Sequence, residues 1–132
     1  YFHQAADQGF APAQAAMGYR CMNGVGGPQD YAEAARYYRL AANQGDAAGE
    51  VGLAVLNANG YGMPRDYAEA ARLYRRAADQ GDDGAQYELG YLYEHGLGVP
   101  NDRAEAVRLY RLAAQQGNER ARAGLTRLGE TL

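Results

Sequence analysis

At 132 residues and 14.3 kDa, the chain has room for one domain of ordinary size whose core needs no disulfide or metal staple, which argues against a multidomain enzyme. It carries 27 Ala, 18 Gly and 12 Tyr but no Ser, Lys, Ile or Trp, so a Ser/His/Asp nucleophile, a Ser/Lys dyad, a Schiff-base lysine and a phosphate-loop lysine are all excluded. A formal charge of -3 and a pI of about 5.3 argue against a nucleic-acid partner, Cys21 alone closes no intrachain disulfide, and no apolar run approaches the roughly 20 residues that span a bilayer.

In chain order, the first segment is residues 1–9. Tyr1 and Phe2 stand 36 residues before Tyr37 and Tyr38, and the string Ala-Ala-x-Gln-Gly ends at Gly9, Gly45, Gly81 and Gly117, again in steps of 36. A strict internal repeat therefore organises the chain. Residues 1–9 are expected to be the end of a truncated upstream unit. Complete units follow at 10–45, 46–81 and 82–117, and residues 118–132 are expected to form a terminal capping helix, made polar by Arg120, Arg122, Arg127 and Glu130.

Each complete unit predicts two helices. The first opens at a capping side chain, Asp46, Asp82 or Asn118, and is stopped by Gly24, Gly60 or Gly96, with a proline four residues later. Its apolar positions read Ala13/Met17, Gly49/Leu53 and Ala85/Leu89. The second opens at Asp30, Asp66 or Asp102, with Glu33, Glu69 or Glu105 three residues on as the other half of a capping box. One face of that second helix is apolar through Ala34, Tyr38 and Ala41 and their equivalents, while Glu33/Arg36, Glu69/Arg72 and Glu105/Arg108 predict solvated pairs outside. No alternating strand pattern interrupts the repeat, so the paired glycines read as helix stops: a phosphate loop would need a strand before it. In the middle unit, Gly49 and Gly52 each cost a helix about 1 kcal/mol relative to Ala, and Asn57 in a buried slot needs hydrogen-bond partners.

Helices of about 12 residues are marginal alone, so the hairpins must stack. Small Ala and Gly permit close approach, and Tyr38, Tyr74 and Tyr110 fill the larger gaps. The expected fold is all-α, a curved α/α solenoid.

Ala85, Leu89, Gly90 and Tyr93, the run Gly96-Leu97-Gly98-Val99, Pro100 and Asp102, Tyr110, and Ala113-Ala114-Gln115-Gln116-Gly117 together resemble the Sel1-like repeat family, relatives of tetratricopeptide repeats. The resemblance implies a right-handed superhelical solenoid of 36-residue helix-turn-helix repeats. It also implies a non-catalytic scaffold that binds a protein or peptide on a concave face formed by the first helix of each repeat, without cofactor, metal or membrane insertion. On the related tetratricopeptide geometry that face receives Tyr19 and Asn23 from the first repeat, Val55 and Asn59 from the second, and Tyr87, Tyr91, Glu94 and His95 from the third. Tyr offers large contact area with few rotors to freeze; packing between adjacent first helices is the alternative, as good a reading for Tyr87 and a weaker one for Tyr91. Glu94 and His95 are sequence neighbours, which point apart on a helix, and no second His lies nearby, so neither metal nor acid/base chemistry is expected there. A His3/Cys21 dyad would require a chance encounter. The alternative is an envelope-associated enzyme or a peptidoglycan or β-lactam binder, as in cysteine-rich relatives, but those carry paired cysteines in their repeats and this chain has neither these nor a serine to acylate. The family resemblance favours a soluble bacterial protein, periplasmic or secreted over cytoplasmic.

Overall fold

The computed structural model describes residues 9–130, which hold seven helices and no strand. Three first-type helices, α1 (Ala11–Asn23), α3 (Ala47–Asn59) and α5 (Asp83–His95), alternate with three second-type helices, α2 (Tyr31–Asn43), α4 (Tyr67–Asp79) and α6 (Arg103–Gln115), before α7 (Glu119–Arg127). Each begins 36 residues after its counterpart. The expected upstream fragment, with His3, falls almost wholly outside the described residues. Two compact units are distinguished, residues 1–66 and 67–132. In unit 1, α1, α2 and α3 all pack on one another; in unit 2, α4 packs on α5, α5 on α6 and α6 on α7.

Local chemistry sets the helix ends. Gly24, Gly60 and Gly96 adopt φ of 69°, 67° and 65°, a left-handed conformation that side chains resist, and their amides donate to the carbonyls of Arg20, Leu56 and Leu92. Asp46, Asp82 and Asn118 accept from the amides of Gly49, Ala85 and Ala121 at 3.1, 2.9 and 2.9 Å, and each such cap stabilises its helix by about 1 kcal/mol. At α1 the cap position is instead Phe10, which offers no acceptor and is followed by Pro12 in the first turn.

One sequence expectation needs correcting. Asp30 and Asp102 do accept from the amides of Glu33 and Glu105, but the reciprocal half of the capping box is absent. The amides of Asp30 and Asp102 are already spent on the carbonyls of Cys21 and Tyr93, at 2.8 and 2.9 Å. With no donor left to reach, the two glutamates turn outward to Arg36 and Arg108, at 2.5 and 2.7 Å. The start of each of these second helices is thereby tied to the end of the first helix of its own hairpin.

Tyr38, Tyr74 and Tyr110 of the second helices are core. In unit 1 the Tyr38 ring lies between α1 and α3, against Gly18 and Gly52: a Cβ on Gly18 would stand 2.8 Å from its ring, and one on Gly52 only 2.3 Å. In unit 2 Tyr110 lies likewise between Gly90 and Gly124, where a Cβ would come within 2.9 and 3.1 Å. Gly49 is equally tight, since its Cβ would meet Ala41 at 2.5 Å. The middle-repeat glycines are therefore places where helices touch, and the propensity they forgo is offset by packing that Ala could not make. Asn57 is buried and donates Nδ2 to the Leu53 carbonyl at 3.0 Å, so its partner comes from its own helix.

Candidate partner-binding surfaces

The side chains expected to meet a partner fall on first-type helices of both units. On unit 1, Tyr19 of α1 is 57% exposed and Asn23 lies one turn along, its Nδ2 donating to the Tyr19 carbonyl at 3.0 Å. Val55 and Asn59 repeat the pair on α3, with Val55 half-buried and Asn59 donating to the Val55 carbonyl at 2.8 Å. Both amides thus serve the last turns of their helices, where carbonyls lack helical partners. Ala15, in register with Tyr87, is buried and adds nothing to the surface. These four side chains carry no charge.

On unit 2 the same register is wired differently. Tyr91 is 41% exposed, and its ring lies 4.3 Å from that of His95, tilted by 48°. Tyr87 is half-buried, stacked on Tyr110 at 5.6 Å, and covered on its ring by the Arg120 guanidinium at 4.6 Å. That geometry serves the packing alternative for Tyr87.

Glu94 is drawn into the fold. Only 10% of its side chain is exposed. One carboxylate oxygen, Oε1, accepts from the Tyr110 hydroxyl at 2.7 Å and from Arg127 Nη2 at 2.9 Å, while Oε2 accepts from Arg127 Nη1. The bonds from Arg127 hold its carboxyl down at about 2, against the opposing effect of burial and with help from Tyr110. The Tyr110 phenol is pushed well above its usual range, first by burial and then by Glu94. His95 and Glu94 also come closer than sequence neighbours were expected to: Nε2 lies 3.7 Å from Oε2, beyond hydrogen-bond length but within ion-pair range.

Arg120 and Arg127 were not anticipated at this surface. Adding 36 to Tyr91 gives Arg127, so carrying the register one helix further would have found that residue; nothing in the spacing singles out Arg120. Cys21 lines a cleft of about 480 Å³ with Met17, Pro28, Asp30 and Glu33. Burial and then Glu33 and Asp30 push its thiol up, against the pull of Arg36, which is the opposite of nucleophile activation. Among the described residues, no three His, Cys, Asp or Glu side chains are grouped to hold a metal, and no helix is long and apolar enough to cross a membrane.

The model of the Sel1 repeat family matches residues 1–10, 11–46, 47–82 and 84–118. Among solved structures, c5321, a protective antigen present in uropathogenic Escherichia coli strains and displaying an SLR fold, is 42% identical with a TM-score of 0.88 over 91% of this chain and 26% of its own. The chain thus spans about a quarter of that protein. A Sel1 repeat protein from Oxalobacter formigenes is 40% identical with a TM-score of 0.83, covering 95% of this chain and 94% of its own. Helicobacter pylori cysteine rich protein B, at 23% identity and a TM-score of 0.74 over 92% of both chains, shares the fold. No curated protein matches. Sel1 repeats are generally non-catalytic and commonly serve as protein-interaction scaffolds. With helices, glycine stops and tyrosine contacts recurring in one 36-residue register, and the family model matched four times along its length, the chain belongs to the Sel1 repeat family, an all-α helical repeat fold.

Proposed function

We propose that this protein is a non-catalytic scaffold that docks a protein or peptide on its first-type helices, with Tyr19 on unit 1 and Tyr91 on unit 2 as anchors. The observation that carries the reading is the contrast between two tyrosine registers. Tyr38, Tyr74 and Tyr110 are at most 3% exposed, whereas Tyr19 and Tyr91 remain 57% and 41% exposed. A large aromatic with so little core contact, flanked by Asn23 or His95, is the kind of side chain that dominates interface energetics. The raised Cys21 thiol and the fully engaged Glu94 carboxylate support the non-catalytic part. Likeness to an E. coli protective antigen supports a bacterial, periplasmic or secreted setting.

The test is a crosslinking pull-down read by mass spectrometry, with Tyr19→Ala and Tyr91→Ala in parallel and thermal melts on each. Loss of the captured protein in either variant, with melting unchanged, supports the reading. Undiminished capture by both variants, or a measurable β-lactam turnover, overturns it.

A further inference from the structure

Arg120 is unlike the other cations that border the unit 2 surface. Its side chain is 67% exposed, and its guanidinium lies 4.6 Å over the Tyr87 ring, itself fixed by stacking on Tyr110. Among the described residues it makes no hydrogen bond; its nearest carboxylate oxygen, Glu88 Oε1, stands 3.8 Å from Nη1. The result is a planar fork stacked on a fixed ring and ion-paired with Glu88 at 3.8 Å, with its N–H donors not yet used in hydrogen bonds. Such a group binds a carboxylate in a two-pronged fashion, and part of the ordering cost has been met before the partner arrives.

Of the neighbouring acids only Glu88 comes within ion-pair range of it, and none reaches hydrogen-bond distance. Glu94 is engaged by Arg127 and Tyr110. Glu88 turns its other oxygen to the Tyr74 hydroxyl at 3.3 Å. Asp83 accepts from Asn118 at 3.0 Å, and Glu119, though well exposed, stands 4.0 Å from Arg122. Over Tyr87, one helical turn before exposed Tyr91, this surface thus offers a guanidinium with free N–H donors, whereas Tyr19, Asn23, Val55 and Asn59 of unit 1 offer no charged group.

We infer that the α5 and α7 surface of unit 2 takes an acidic peptide segment, one carboxylate seated on Arg120 and an adjoining apolar side chain laid on Tyr91. This rests on the docking role proposed above and adds the partner's chemistry. A polyanionic nucleic acid is the less favoured occupant, because its binding needs many cations along the backbone in a chain that is negative as a whole, whereas a single carboxylate needs only the one guanidinium.

The experiment titrates isotope-labelled full chain with a short end-blocked peptide alternating Glu and Leu, and with its Gln/Leu analogue, following amide shifts. The Glu/Leu peptide is expected to move signals of α5 and α7, and the Gln/Leu analogue to bind roughly tenfold more weakly. Arg120→Gln should erase that difference while leaving melting unchanged, and Tyr91→Ala should weaken both peptides. Equal binding of the two peptides, or an acid preference that survives in Arg120→Gln, overturns the inference. If both bind equally and both depend on Tyr91, only the acid preference falls; if neither depends on Tyr91, its anchoring role falls as well. Tighter, Arg120-dependent binding of single-stranded oligothymidine would overturn the peptide assignment.

Discussion

Tyr38 in unit 1 and Tyr110 in unit 2 occupy the same register, each with its ring between two glycines, yet their hydroxyls meet different surroundings. Position 22 is Met where position 94 is Glu. Among the described residues no hydrogen bond reaches the Tyr38 hydroxyl, and burial, with smaller contributions from Tyr19 and Cys21, pushes its phenol up to about 12. The Tyr110 hydroxyl instead donates to a carboxylate that Arg127 also grips. The repeat register therefore dictates where rings and glycines meet, while the side chains that vary around it, Glu94 at Tyr110 and Glu88 at Tyr74, decide whether the ring's hydroxyl is joined to charge. Tyr38 of unit 1 is held by packing, whereas Tyr110 of unit 2 is also linked to a charged surface.

The largest effect that sharpens this contrast is Tyr110→Ala. Removing a fully buried ring costs about 3–5 kcal/mol, and here it also takes a donor from Glu94, so the loss should exceed that of Tyr38→Ala. Urea unfolding of the two variants measures it; equal losses would mean that the charged linkage contributes nothing.

Next in size is Gly52→Ala. Its Cβ would fall 2.3 Å from the Tyr38 ring, and overpacking of that kind costs about 1–3 kcal/mol. Gly84→Ala should be neutral or slightly stabilising, since its Cβ meets only Asp82 Oδ1, at 3.3 Å. The two midpoints, compared by thermal melting, separate a contact glycine from one that merely lowers helix propensity.

These glycines also mark where sequence reasoning stopped. Helix number, the left-handed stops at Gly24, Gly60 and Gly96, and the buried Tyr38, Tyr74 and Tyr110 were all legible, because each follows from local chemistry repeated every 36 residues. What Gly52 touches was not, since closeness between helices is a property of the packed state. The exposure of Tyr19 and Tyr91 followed from the related tetratricopeptide geometry rather than from local chemistry, and Val55 between them in the register is half-buried. Glu94, read as a groove residue, is mostly withdrawn into the fold, because Arg127 and Tyr110 reach it from helices that sequence spacing alone does not bring together. The missing half of the capping box has the same origin: the amides of Asp30 and Asp102 are taken by carbonyls of the preceding helix.

A finer cut through the contrast is Tyr110→Phe against Tyr38→Phe. The first deletes a hydrogen bond to a charged acceptor and should cost about 1–2 kcal/mol, whereas the second removes no bond and should be close to neutral. Chemical denaturation of both variants decides it, and equal costs would dissolve the distinction between the units.

Acid should act on the same linkage. The Glu94 carboxyl is lowered from 4.5 to about 2 in the folded protein, so the unfolded state binds the proton more readily. Its contribution to stability is complete above the unfolded value and is lost as pH falls from about 4.5 through about 2. In Glu94→Gln, urea midpoints followed across that window should fall less steeply than in the parent protein. Parallel profiles would show that Arg127 and Tyr110 do not hold the carboxylate more tightly than water does.

The smallest expected change is the one that bears most on function. Tyr91 is 41% exposed and its ring leans on that of His95, so Tyr91→Ala should alter stability by no more than about 0.5 kcal/mol, in contrast to the same substitution at Tyr110. Both side chains are tyrosines of unit 2, but one fills a gap between glycines and the other faces outward. Near-equal melting temperatures for Tyr91→Ala and the parent protein would leave the ring available for a partner. A loss approaching that of Tyr110→Ala would instead make it part of the core and remove it as an anchor.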